Sequence, residues 1–269
     1  PPAPDPSFLP QSWTHRYSLP AQPDQSTPQA LAQCNIMSWS IQGRLYARGN
    51  YINSGVQEFL HHVADLMLRN SIDIMWLNDA RFTAGMIDIY IPILRQLLPN
   101  CRLFQFPTYY IKTGSRCESF NRMGGAVAIV THAWHGYVTK SIPDPTGSGL
   151  INALDIKVGP YHLRTINNYF LPYSTQRGPA TLFTRLTNYL AGPLCPGWAK
   201  KHTPITYQYA YSRILVNTAR QAGWFTVILG DSNRPLHDGR SQLTAFEVWR
   251  RTNALSAPMA AALHHLPDY

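Results

Sequence analysis

Apolar and polar positions along this chain fall into blocks of two kinds, short continuous apolar runs and longer stretches with a period near 3.6. Residues 35–42 (N-I-M-S-W-S-I-Q) read as a strand. Within 53–70, Val56, Phe59, Leu60, Val63 and Met67 recur on one helical face, and Asn53 or Ser54 is suited to cap it. Residues 72–77 predict a strand, and 85–98 a helix disturbed at Pro92. Strand-like runs follow at 102–107, 125–131, 150–158 and 162–171, the last two joined by Gly159-Pro160 as a hairpin. Helices are expected at 179–190, 207–222 and 241–252, with a strand at 225–229 between the last two. Strands and helices alternate, but hairpins are interspersed, which excludes a purely parallel doubly wound sheet.

The first thirty residues break this pattern. They hold eight of the 22 prolines, separated by Ser, Gln and Asp. Such a segment has too little apolar surface to fold alone and predicts an extended, polyproline-prone arm over residues 1–33, with one domain over 34–269. The prolines argue against regular strand pairing in the arm. Phe8, Leu9, Trp13 and Tyr17 are its candidate anchors, expected to bind another chain; the alternative is an arm folded back along its own sheet edge.

Composition narrows the partners. The net charge is +9, from 18 Arg and 5 Lys against 14 acids, of which three are Glu. That surplus favours a polyanion, DNA or RNA, although the charges are scattered, with no run longer than Lys200-Lys201 or Arg250-Arg251. No apolar stretch is long enough to span a bilayer, and there is no signal-peptide core. Residue 1 is Pro, which raises the expectation either of a removed leader, a cleaved organellar presequence being one option, or of a chain that is a fragment of a longer one. Cys34, Cys101, Cys117 and Cys195 contain no CxxC, so free thiols in a reducing compartment are expected rather than zinc. His61-His62 falls in a helix and His132-Ala-Trp-His135 is expected to open a loop, each more typical of surface or core histidines than of ligands.

Candidate chemistry gathers at strand ends. The run 227–235 (V-I-L-G-D-S-N-R-P) carries a strand into Gly230, where the backbone can turn, and then places Asp231 and Asn233 two apart, on one side of an extended chain. Three more polar stations precede it: Ser38-Trp39-Ser40-Ile41-Gln42-Gly43, Leu77-Asn78-Asp79 and Tyr169-Phe170-Leu171-Pro172. In this order, with Gly124-Gly125-Ala126-Val127-Ala128-Ile129 between, they resemble the endonuclease/exonuclease/phosphatase family, in particular the AP-endonuclease-like domains of LINE-type retrotransposons. That family shows W-N-x-x-G, L-Q-E, G-G before an apolar strand, Y-x-P-N and G-D-x-N; Trp76–Arg81 is also similar to a D-T-R variant of some retroelements.

The resemblance covers about residues 34–255. It implies a four-layered α/β sandwich, two mixed β-sheets flanked by helices, incomplete at the C-terminus. It also implies Mg²⁺-assisted phosphodiester hydrolysis, with Asp79 as the metal carboxylate, Asp231 activating water, Asn233 and the residue at Ser40 positioning phosphate and metal, and Tyr169 as a weaker candidate. The departures are specific. Ser40 replaces an Asn, Asp79 replaces a Glu, and Phe170 lies where Tyr is expected, two before Pro172, while Tyr173 replaces the Asn. A one-residue slip puts Tyr169 on the opposite strand face. The T-W strand, the D-apolar strand and S-D-H are not found; His265-Leu266-Pro267 comes too soon after Asn233 to supply the last. A missing transition-state donor alone costs about a hundredfold or more.

Two expectations follow. The first is a degenerate site in a structural or nucleic-acid-contacting subunit of a larger assembly. Its arm and exposed sheet edge would meet other protein subunits, in the mitochondrial matrix, with the nucleus as the alternative. The second is an active Mg²⁺-dependent endonuclease cleaving DNA.

Overall fold

The computed structural model describes residues 15–18, 33–41, 54–81, 87–106, 124–171 and 181–231. Within these, nine strands form two mixed sheets. The first joins β1 (His15–Ser18), β2 (Gln33–Ser40), β3 (Ile74–Asn78), β4 (Arg102–Phe106) and β5 (Ala126–Val130) in the order β1-β2-β3-β5-β4. The second joins β6 (Val138–Ile142), β7 (Ile151–Val158), β8 (Tyr161–Tyr169) and β9 (Phe225–Asp231) in that order. Each sheet has one parallel pair, β2 with β3 and β8 with β9, among antiparallel neighbours.

Alternation along the strands sorts side chains into three cores. Met37, Met75, Leu77, Val127 and Ile129 face α1 (Ser54–Arg69) and α2 (Ile87–Leu97) on the outside of the first sheet. Ile36, Ile74, Trp76, Ala128 and Val130 face the other way and meet Leu154, Ile156 and Val158 of the second sheet. Ile151, Ala153, Ile166 and Ile228 lie on the far side, under α4 (Leu182–Ala191) and α5 (Pro204–Gln221). Helices, sheet, sheet and helices thus make a four-layered α/β sandwich. All five positions of β3 and of β5 are buried, as strands covered on both faces must be.

The helices follow their patterns. Val56, Phe59, Leu60, Val63 and Met67 all enter the outer core of the first sheet. α2 runs unbroken through Pro92, so the expected disturbance does not end it; Tyr90, Leu94 and Leu98, four apart, hold its buried face. α5 begins at Pro204, three residues before the periodicity suggested, because Thr203 and Thr206 form a reciprocal capping box with proline in the first turn. His132–His135, expected to open a loop, is a single helical turn, α3, that buries Trp134.

The arm requires a correction. His15–Ser18 pairs antiparallel with Gln33–Ile36, so part of the arm is the edge strand of its own sheet. Pro10 and Pro20 bracket nine proline-free residues, enough for a four-residue strand. Phe8, Leu9 and Trp13 lie outside the described residues, as does the helix expected at 241–252.

Candidate functional site

The two sheets are joined between their faces by a small polar ring. Asn78 Nδ2 donates to Ser38 Oγ at 2.8 Å, and Ser38 Oγ donates to Asn167 Oδ1 at 3.1 Å. Asn167 Nδ2 closes the ring by donating to Asn78 Oδ1. Asn78 and Asn167 are wholly buried, and the ring gives each amide one donated and one accepted hydrogen bond. The ring lies at the C-terminal ends of β2, β3 and β8, so it aligns those ends to within a side chain's length.

The candidate residues follow from that layer. Ser40, two beyond Ser38, ends β2 in register with Asn78. Asp79 is the residue after Asn78. Tyr169, two beyond Asn167, ends β8 directly opposite Asp231, the last residue of β9. Ser40, Asp79, Tyr169 and Asp231 therefore gather at one end of the sandwich; Asn233 lies outside the described residues. Asp231 lies opposite Tyr169 in the parallel pair, and the Tyr169 side chain joins the buried cluster that includes α4 and α5.

Gly230 has a different task from the turn expected of it. β9 continues through it, and a Cβ there would sit 1.7 Å from the Asn168 carbonyl oxygen. Its φ of +138° and this close approach both exclude a side chain. The strand beside it is held by α5: Gln208 donates to the Tyr169 carbonyl and accepts from the Leu171 N–H, each at 3.0 Å.

Asp79 departs most from a metal ligand. Its backbone is left-handed, φ 51°, and so is that of Arg81, φ 53°. The two turns fold Arg81 back over Asp79, with Nη2 at 2.8 Å from Oδ2 and Nε at 3.1 Å from both carboxylate oxygens. The Gly124 N–H donates to Oδ1 at 2.8 Å. The Asp79 side chain is 1% exposed. In return the carboxylate holds the Arg81 guanidinium above its usual pKa, with the Tyr169 phenol a further contributor.

A carboxylate has about four acceptor positions, and Arg81 with Gly124 engages both oxygens from the accessible sides. Mg²⁺, bonding oxygen at about 2.0–2.1 Å, would have to displace the Arg81 guanidinium from the carboxylate. The residues at Asp79 do not fit a metal ion. Among the described residues, no three His, Cys, Asp or Glu side chains cluster as a ligand set elsewhere.

Three contributors to this end were given no role from sequence: Arg81, although it closes the Trp76–Arg81 motif, the Ser38–Asn78–Asn167 ring, and Asp144. Asp144 accepts from Thr146 N and Oγ1, Ser148 Oγ and Leu150 N at 2.7–2.9 Å. It thereby fixes the turn whose Ser148 carbonyl accepts from Gly125 N at 2.9 Å, and Gly124-Gly125 in turn pair with Ala80 and Arg81. A D-P-T-G-S sequence signals such a turn, but not what the turn supports.

No protein-family model and no curated protein matches the chain. Its structure is similar to several solved ones. TDP2 from C. elegans matches over 78% of this chain and 50% of that one, at 14% identity and a TM-score of 0.41. AP endonuclease LMAP from Leishmania major matches over 85% and 65%, at 11% identity and 0.49. A β-hairpin deletion mutant of β toxin from Staphylococcus aureus matches over 82% and 73%, at 12% and 0.45. The chain thus spans about half the length of the TDP2 structure.

Proposed function

We propose that this chain is an endonuclease-like sandwich in which the metal station has become an internal ion pair, and that it serves as a structural, nucleic-acid-contacting subunit of a larger assembly. The observation that carries this reading is Arg81 laid bidentate across Asp79, 2.8 Å at its shortest. A guanidinium in place of a divalent cation supplies fixed positive charge but no site for activating water. The net charge of +9 supports a polyanionic partner. β9 has no second strand partner among the described residues, which supports a protein neighbour along that edge.

One observation favours the second reading, an active Mg²⁺-dependent endonuclease: Tyr169 and Asp231 end adjacent strands in register, where a water-activating carboxylate would be wanted. A plasmid assay separates the two. The purified chain with Mg²⁺ should leave supercoiled DNA intact while retaining labelled DNA or RNA on a filter. Nicking abolished by Asp231→Ala would establish the enzyme instead, and absence of any nucleic-acid retention would remove the nucleic-acid half of the proposal.

A further inference from the structure

The connection between α4 and α5 lies at the same end of the sandwich as the strand-end residues. α5 runs antiparallel to β8, and its first turns hold Tyr169 through Gln208. The connection is well fixed. Cys195 and Ala199 are buried, Ala199 N donates to the Pro196 carbonyl at 2.8 Å, and His202 N donates to that of Ala199 at 3.0 Å.

What this fixed loop presents is aromatic and basic. Trp198 stacks on Tyr207 with ring centres 5.8 Å apart and planes 13° apart, and Tyr207 stacks on Tyr211 at 5.9 Å and 7°. The inner rings are buried, while Trp198 remains 37% exposed. Beside it Lys200 and Lys201 are exposed, and among the described residues neither forms an ion pair. An aromatic ring pre-ordered by stacking from below loses little freedom on receiving another ring, and two uncompensated ammonium groups next to it suit a chain of phosphates.

We propose that this loop is a docking point for single-stranded nucleic acid, a base stacking on Trp198 while Lys200 and Lys201 take flanking phosphates. The proposal rests on the reading above that the chain contacts nucleic acid, and assigns where and in which form. Duplex DNA offers no open base face to Trp198, so single strands are preferred.

The test is fluorescence anisotropy of a labelled twenty-nucleotide oligothymidylate with the full chain and variants of unchanged melting temperature. Trp198→Ala should weaken binding about fivefold or more, and Trp198→Phe should recover most of it. Lys200→Gln with Lys201→Gln should reduce the slope of log affinity against log salt by about 1.4, at about 0.7 per phosphate on a single strand. Oligonucleotide binding by the wild type that none of these variants alters overturns the proposal and leaves the broader reading standing. No binding by the wild type overturns the proposal, and retention of duplex DNA or RNA on the filter then decides separately whether the broader reading stands. Variants that lose binding to phosphatidylserine vesicles but not to the oligonucleotide overturn it in favour of a membrane surface.

Discussion

Arg81 closes on the carboxylate of Asp79 two residues before it, with two nitrogens in contact and only 1% of the Asp79 side chain exposed. The pairing is asymmetric, because the Arg81 side chain is 30% exposed and can recover water if its partner is lost. Asp79 cannot.

The first prediction uses that asymmetry. Arg81→Met leaves a buried carboxylate with the Gly124 N–H as its remaining donor among the contacts described, and should cost about 3 kcal/mol. Asp79→Ala frees an arginine that rehydrates and removes one acceptor, costing about 1–2 kcal/mol. Urea unfolding of both variants checks the ranking. A larger loss for Asp79→Ala would mean that the Gly124 contact, not the ion pair, organises this end.

The second concerns the ring between the sheets. Asn78→Ala removes the donor to Ser38 and the acceptor of Asn167, leaving wholly buried amide atoms unpaired, and should cost about 2–3 kcal/mol. Ser38→Ala should then cost less in that variant than in the wild type, with a coupling of about 0.5 kcal/mol or more. Additive losses in the double-mutant cycle would show that the three residues do not act as one network.

These two features mark the limit of what the sequence disclosed. The apolar runs and helical periodicities located most elements. Of the strand-end residues expected to converge, Ser40, Asp79 and Asp231 lie at the ends of β2, β3 and β9, and Asn233 lies outside the described residues. The Arg81 clamp was hidden because residues two apart in an extended chain point the same way without folding back; left-handed φ at both Asp79 and Arg81 creates the contact. The ring was hidden because Asn78 and Asn167 are 89 residues apart, and sheet-to-sheet facing is not a local property. β6 was missed since V-T-K-S-I has three exposed residues in a row and a register shift, as suits an edge strand. β1 was missed because the prolines around it outweighed the proline-free run within.

The third prediction concerns Gly230. In Gly230→Ala the new methyl carbon would fall 1.7 Å from the Asn168 oxygen and 2.7 Å from its carbonyl carbon, both backbone atoms within the sheet. Neither can swing aside as a side-chain tip could. β9 must move, at about 3 kcal/mol, the upper end for overpacking. Hydrogen exchange should show the loss concentrated in the β8–β9 ladder from Asn167 to Asp231. Uniform exchange protection with an unchanged melting temperature would contradict the close approach.

The last prediction is alkaline sensitivity. Thiols ordinarily ionise near pH 9.0 and phenols near 10.0. Burial pushes the Tyr90 phenol up to about 12, and burial, with the Asp73 carboxylate adding to it, pushes the Cys34 thiol higher still. Tyr207 and Tyr211 are also raised beyond the ordinary phenol range by burial, with Asp144 nearby adding to both. In each case the folded chain keeps a proton that the unfolded chain gives up first. Their contribution to stability is therefore fully present below about pH 9 and is lost as pH rises through 12 and beyond. Each group can contribute a slope of up to about 1.4 kcal/mol per pH unit within its window. Urea midpoints at pH 8, 9.5 and 10.5 should fall progressively. Tyr207→Phe offers the sharpest control, because that hydroxyl is buried with no hydrogen-bond partner among the described residues. Replacing it should leave stability at pH 8 unchanged or improved and should flatten the alkaline decline. A midpoint that does not move with pH in the wild type would show that these side chains reach water, and that the core under α5 is more open than its stacked rings imply.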